Sequence, residues 1–217
     1  MAPIECPTPS GTSAGRGGRP STSEPARPAL VPLGVGHSMG AMLVAYQQAQ
    51  HRPYAGVALL GHSGRGLPEV LLPAEVAVAG DAAAIRRSIV ALARARFGDP
   101  LPRGSTATSE LLVGPDLPAD AAAAIGAAAG SLLACCGLTS MIPGSHDDVL
   151  AAVDVPVLLG LAEHDIAGDP WQAPRWLTGS RDVTLHVLAG AHHNHNVAPA
   201  RRAPRCGCGA PRPGRGG

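Results

Sequence analysis

Aromatic residues are nearly absent, with 2 Trp, 2 Tyr and 1 Phe in 217 residues. Core volume must therefore come from Ala, Val and Leu, and the core will be light. A dominant charge is lacking too. Seventeen Lys and Arg stand against 16 Asp and Glu, a formal net charge of +1, so nucleic acid and other polyanions are not expected partners. The opening Met1-Ala-Pro-Ile-Glu-Cys has neither the basic nor the apolar region of a secretory signal. The 5 cysteines (Cys6, Cys135, Cys136, Cys206 and Cys208) are odd in number and lack the spacing of a disulfide framework. Together these absences point to a reducing, cytoplasmic setting. Neither C-x-x-C nor H-E-x-x-H occurs, so the clustered histidines and the Cys206-Gly-Cys208 pair make a weak case for zinc, and no metal is expected. The uncharged run 121–142 is mostly Ala and Gly, which transfer little apolar area. It reads as a buried or cap helix, with no membrane span expected.

At this length one domain with a substantial core is expected. Residues 1–28 are rich in Pro, Gly, Ser, Thr and Arg without periodicity, the composition of a disordered segment. From Ala29 an apolar run begins that fits a strand, with Pro32 better suited to an edge than to a central position. Residues 39–51 read as a helix, and 54–60 as a second strand after the Arg52-Pro53 stop. Between about 64 and 146 the pattern is helical, most clearly over 81–97, and no strand is evident. Strand-like runs return at 155–161 and 183–188, separated by a short helical stretch over 171–177. Alternating strands and helices argue for a mostly parallel sheet, over a domain spanning 29–198. The tail, 199–217, turns Arg-, Pro-, Gly- and Cys-rich and is expected to be disordered.

Gly36-His37-Ser38-Met39-Gly40 matches G-x-S-x-G between an apolar strand and a helix. The glycines are expected to be required, because side chains flanking a serine on so tight a turn would collide. The helix that follows offers backbone N–H groups, starting with that of Met39, to an oxyanion. A serine hydroxyl needs a histidine base, and that histidine needs an acid to hold its tautomer. Asp165 lies beyond the third strand-like run and His193 beyond the fourth. His192 and His195 compete with His193 for the base, and Asp169 with Asp165 for the acid. Glu163 and His164 read as loop neighbours.

Gly-His-Ser-Met-Gly, followed in order by the acid and the histidine at strand ends, resembles the α/β-hydrolases, the group of esterases, lipases and related acyl-cleaving enzymes. The resemblance covers most of residues 30–198. It implies Ser38 as nucleophile, Asp165 as acid, His193 as base and the Met39 amide as one oxyanion donor, with no cofactor and a small acyl compound as substrate. The fold it implies is a partial α/β-hydrolase: a mostly parallel sheet, disordered ends and a helical cap inserted at about 64–146. The Ala, Leu and Ile of that cap fit an apolar acyl or alkyl pocket, and core packing accounts for them equally well. Such enzymes usually carry further strands before the elbow, one of them followed by a loop with a second oxyanion N–H. No counterpart is identifiable here, so the nucleophile strand is expected to have a bare edge. Both ends have the Ala, Gly, Pro and Arg bias of GC-rich codons and read as a truncated or frame-disrupted hydrolase. Two functions follow: a serine hydrolase acting on carboxylic esters or related acyl compounds, or an inactive remnant that serves as an interaction partner. The oligomeric state is left open.

Overall fold

Four apolar runs become the strands β1 (Leu33–His37), β2 (Gly56–Leu60), β3 (Val157–His164) and β4 (Val183–His192). They lie side by side in that order and every pairing is parallel. The computed structural model that shows this describes residues 30–98, 110–115, 117–128, 130 and 133–199. All of these except Leu30 belong to one compact unit, Val31–Gly217. The segments expected to be disordered, 1–28 and the tail beyond Pro199, lie outside the described residues.

Parallel neighbours need a crossover between them. Helix α1 (Met39–His51) joins β1 to β2, and a 3-10 helix (Pro170–Trp176) joins β3 to β4. The β2-to-β3 connection carries a 3-10 turn (Pro68–Val70) and the helices α2 (Pro73–Val76), α3 (Ala82–Phe97), α4 (Glu110–Val113), α5 (Ala119–Ala128), α6 (Ala134–Met141) and α7 (Asp147–Ala151). No strand occurs there among the described residues.

Side chains alternate across a strand, so each strand offers one face to a common core. Val57 and Leu59 of β2 join Val157, Leu159 and Leu161 of β3 beneath Ala41, Val44 and Ala45 of α1 and Val149 and Leu150 of α7. The intervening residues point the other way, where Leu33, Val35 and Leu158 stay exposed. A smaller second core lies within the cap, where Ile85 and Ala93 of α3 meet Ala134, Leu138 and Ile142. Helix α3 starts where expected because the Asp81 carboxylate accepts the Ala84 N–H at 2.9 Å. The uncharged run 121–142 is split between α5 and α6. Helix α5 buries no residue, and α6 buries Ala134 and Leu138. No helix among the described residues is long and apolar enough to cross a membrane.

Three elements differ from their expected form. Strands β3 and β4 run on to His164 and His192, so Glu163 and His164 are strand rather than loop residues. Regular pairing is interrupted between Ala162 and His164, and there the Glu163 carboxylate accepts the Gly190 N–H at 2.8 Å, which lets the two strands continue together. The helix expected over 171–177 is a 3-10 helix, started by Asp169 accepting the Trp171 N–H and running through Pro174.

One ion pair in the cap is buried. Arg96 meets Glu75 at 2.6 Å, with the glutamate side chain 2% exposed. Removing the cation alone would leave that carboxylate buried without its charge partner. Arg96→Met is expected to lower the stability by about 3 kcal/mol. Arg86→Met, which breaks an exposed 3.6 Å contact with Asp148, should cost less than about 0.5 kcal/mol. Urea midpoints of the two variants check the contrast.

Candidate active site

The carboxyl ends of parallel strands share one edge of the sheet, and the residues of interest follow those ends directly. Ser38 follows β1, Asp165 follows β3 and His193 follows β4. Ser38 is held at φ 55°, a left-handed conformation that few non-glycine residues adopt. Its N–H donates to the Leu60 carbonyl at 2.7 Å, pinning the elbow to the end of β2. Gly36 is required, since a Cβ there would run into the backbone of Gly40 and Ala41. The expectation for the second glycine is not met. A Cβ at Gly40 meets nothing within 4 Å, because that side of the first helical turn faces no other described element.

The three side chains form one hydrogen-bonded line. His193 Nδ1 lies 2.8 Å from Asp165 Oδ1, and His193 Nε2 lies 2.8 Å from Ser38 Oγ. A carboxylate only accepts, so Nδ1 carries the proton and Nε2 is left to accept the Ser38 hydroxyl. Burial alone would push the Asp165 carboxyl up. The hydrogen bond and charge of His193, with the N–H groups of Ala167 and Ala162, hold it below its ordinary value. The Met39 N–H, in the first turn of α1, has no intrahelical acceptor and remains available beside Ser38.

The competing candidates go elsewhere. His192 packs its ring against His164, at 5.3 Å between centroids. His195 sets an edge against His37, at 5.2 Å. Asp169 caps the 3-10 helix. Cys135 and Cys136 are free thiols, while Cys6, Cys206 and Cys208 lie outside the described residues.

Sequence reasoning missed two sets of residues at the site. His37, the variable residue before Ser38, donates from Nε2 to the His193 carbonyl at 2.9 Å and so holds the loop that carries His193. Beyond β2, His62 contacts His146 between their Nε2 atoms at 2.9 Å, and His146 Nδ1 contacts Ser145 Oγ at 2.6 Å. His62 was accessible to the rule that ligand-contacting residues gather at the carboxyl ends of parallel strands. Nothing local marks His146 as its partner.

A cavity of about 40 Å³ adjoins Ser38. Its described lining sets the polar side chains of His62, Ser63, Ser140 and His193 beside the apolar ones of Met39, Leu67 and Ile166. The cap supplies Gly64, Gly66, Leu67 and Ser140 to this wall, while its Ala and Ile side chains pack elsewhere.

No protein-family model matches the chain, and no curated protein matches it. Among solved structures the chain is similar to a monoacylglycerol lipase from Paleococcus ferrophilus, with a TM-score of 0.50 and 21% identity over 75% of this chain and 60% of the lipase. It is also similar to a bromoperoxidase from Bacillus anthracis (TM-score 0.48, 16% identity, 76% of this chain and 61% of that one). A third similar structure is an enol-lactonase from Burkholderia xenovorans LB400 (TM-score 0.43, 21% identity, 75% and 58%). The chain has a partial α/β-hydrolase-like fold and spans about three fifths of the length of these structures.

Two expectations follow from this geometry. Gly36→Ala should destabilise the fold by about 3 kcal/mol, while Gly40→Ala should be neutral or stabilising by up to about 1 kcal/mol; thermal melts separate them. Burial also lowers the His62 and His146 rings, to about 3 and about 4. In the unfolded chain they titrate near 6.5, so below that pH the unfolded state binds more protons than the folded one. Their contribution is full above pH 6.5 and is lost as the pH falls toward 4. Between pH 7 and pH 5 each should cost about 2 kcal/mol. Urea titrations should show this slope, and His62→Leu should make it shallower.

Proposed function

We propose that this chain is a serine hydrolase that cleaves a carboxylic ester or related acyl compound through Ser38, His193 and Asp165. The observation that carries this reading is the unbroken line from the Asp165 carboxylate through His193 to Ser38 Oγ, with both contacts at 2.8 Å. Ser38 Oγ attacks the carbonyl carbon while His193 Nε2 takes its proton, and Asp165 stabilises the imidazolium that forms. The tetrahedral oxyanion receives the Met39 N–H. His193 then returns the proton to the departing alkoxide, leaving an acyl-serine. Water adds by the same route, releasing the acid and restoring Ser38. His37 supports the base by holding its main chain.

The fold shared with the lipase is consistent with acyl cleavage and does not choose the substrate. One observation favours a second reading, a non-catalytic remnant or interaction partner. Strand β1 pairs on one side only among the described residues, with Leu33 and Val35 about two-thirds exposed. An unpaired apolar edge is suited to another chain.

Labelling of the purified, folded chain with a fluorophosphonate probe separates the two. The hydrolase reading expects labelling that Ser38→Ala abolishes and that His193→Ala slows by at least about 1000-fold. Asp165→Asn, which permits the wrong tautomer, should slow turnover of an ester by about 10,000-fold. A folded chain that resists the probe supports the second reading instead.

A further inference from the structure

The cavity beside Ser38 has a polarity that follows from its hydrogen-bond directions. A carbonyl oxygen only accepts, so each serine that contacts one must spend its single hydrogen there. Ser63 donates to the Ala167 carbonyl at 2.6 Å, and Ser140 to the Gly137 carbonyl at 2.7 Å. Both hydroxyls line the cavity with lone pairs and no hydrogen to offer.

The same logic fixes His62. Ser145 donates to the Thr139 carbonyl at 2.6 Å, so its Oγ must accept from His146 Nδ1–H, also at 2.6 Å. A neutral His146 then has only a lone pair at Nε2, and His62 Nε2–H must donate to it across 2.9 Å. Both rings are buried, at 7% and 0% exposure, and among the described residues neither has a carboxylate within hydrogen-bonding distance, so both are neutral. His62 Nδ1 is therefore an unprotonated acceptor on a residue that lines the cavity. The direction is set by the Thr139 carbonyl and passes through one serine and two histidine side chains, Ser145, His146 and His62, to reach the site.

The residues that line the cavity thus carry three side-chain acceptors, His62 Nδ1, Ser140 Oγ and the lone pair that Ser63 Oγ keeps after accepting the Arg65 N–H at 3.3 Å, with the Met39 N–H as a donor beside Ser38. The side-chain proton facing them from the Ser38–His193 pair is already engaged in the 2.8 Å contact. With the Met39 N–H left to the scissile carbonyl, the side chains here offer lone pairs to a donor, and a plain hydrocarbon would leave His62 Nδ1 unpaired. The volume, about 40 Å³, compares with about 10–15 Å³ for a single water. A hydroxyl with a carbon or two fills it.

Resting on the reading of Ser38 as nucleophile, we propose that this cavity recognises a short acyl group bearing a neutral hydrogen-bond donor, a hydroxyl close to the scissile carbonyl, which donates to His62 Nδ1. The substrate class is then a short hydroxyacyl ester.

Binding without turnover tests this on the full chain carrying Ser38→Ala, with ethyl lactate and ethyl propionate as a pair that differs by one hydroxyl. The expected result is tighter binding of the lactate ester by ten- to a hundredfold, reduced to less than threefold by adding His62→Leu and restored in part by His62→Asn, which keeps an acceptor near the Nδ1 position. Nitrogen-15 resonances of His62 in the chain with its histidines intact provide a reading that needs no change at that residue. Nδ1 should resonate as an unprotonated ring nitrogen and respond to ethyl lactate but not to ethyl propionate. Equal affinities, a protonated Nδ1, binding of neither ester at millimolar concentration, or a preference that survives His62→Leu would each overturn the proposal. Fluorophosphonate labelling of Ser38 reports separately. A chain that keeps the preference without labelling retains the recognition site and loses the hydrolase reading, and a labelled chain without preference does the reverse.

Discussion

Parallel pairing of β2 with β3, which sets Val57 beside Val157, is the constraint on which the rest of the structure depends. It joins two parts of the chain that are separated by the whole cap. Because the pairing is parallel, it also brings their carboxyl ends to one edge of the sheet. Ser38 and His62 arrive with the first part, Asp165 and His193 with the second. Closing a connection of this length costs roughly 4 kcal/mol of chain entropy beyond the constant term. Burial of Leu59, Leu159 and Leu161 against α1 and α7 offsets it. The line of contacts at the site thus depends on apolar packing along the strands that lead to it.

Much of this was legible in the sequence, for reasons that differ from residue to residue. The parallel sheet, the helix after Ser38 and the capped start of α3 follow local rules of periodicity and capping. Ser38 stands out because a strained turn between strand and helix restricts its neighbours, and Gly36 obeys that restriction. Gly40 does not, since a collision needs a neighbour on the other side and the sequence cannot place one. Which of three clustered histidines meets the serine depends on where β4 ends. That end is set by the contact between Glu163 and Gly190, two residues on different strands with no shared local pattern. The His62–His146 pair was illegible for a similar reason. Its members are 84 positions apart, and a buried polar pair is recognised only when both partners are in view.

The site and the cap divide their chemistry in an uneven way. The small apolar residues of the cap are used up in its own core around Ile85 and Leu138, so its composition says little about the cavity it borders. What reaches the cavity from the cap is Ser140 with its hydrogen already committed, and the backbone near Gly64 and Gly66, both with positive φ. The cap thus brings one spent hydroxyl, Ser140, and one apolar side chain, Leu67, to the wall beside Ser38.

Strand β1 lies at the edge of the described sheet, joined to β2 and covered on one face by α1. Ser38 and His193 therefore extend from the two edge strands of the described sheet, whereas Asp165 extends from β3, which is paired on both sides. Local opening follows the number of neighbours that must be broken. Amide hydrogens of β1 should consequently exchange with solvent by a smaller, lower-energy fluctuation than those of β3. Ser38 moves with an edge strand, whereas Asp165 extends from a strand held on both sides.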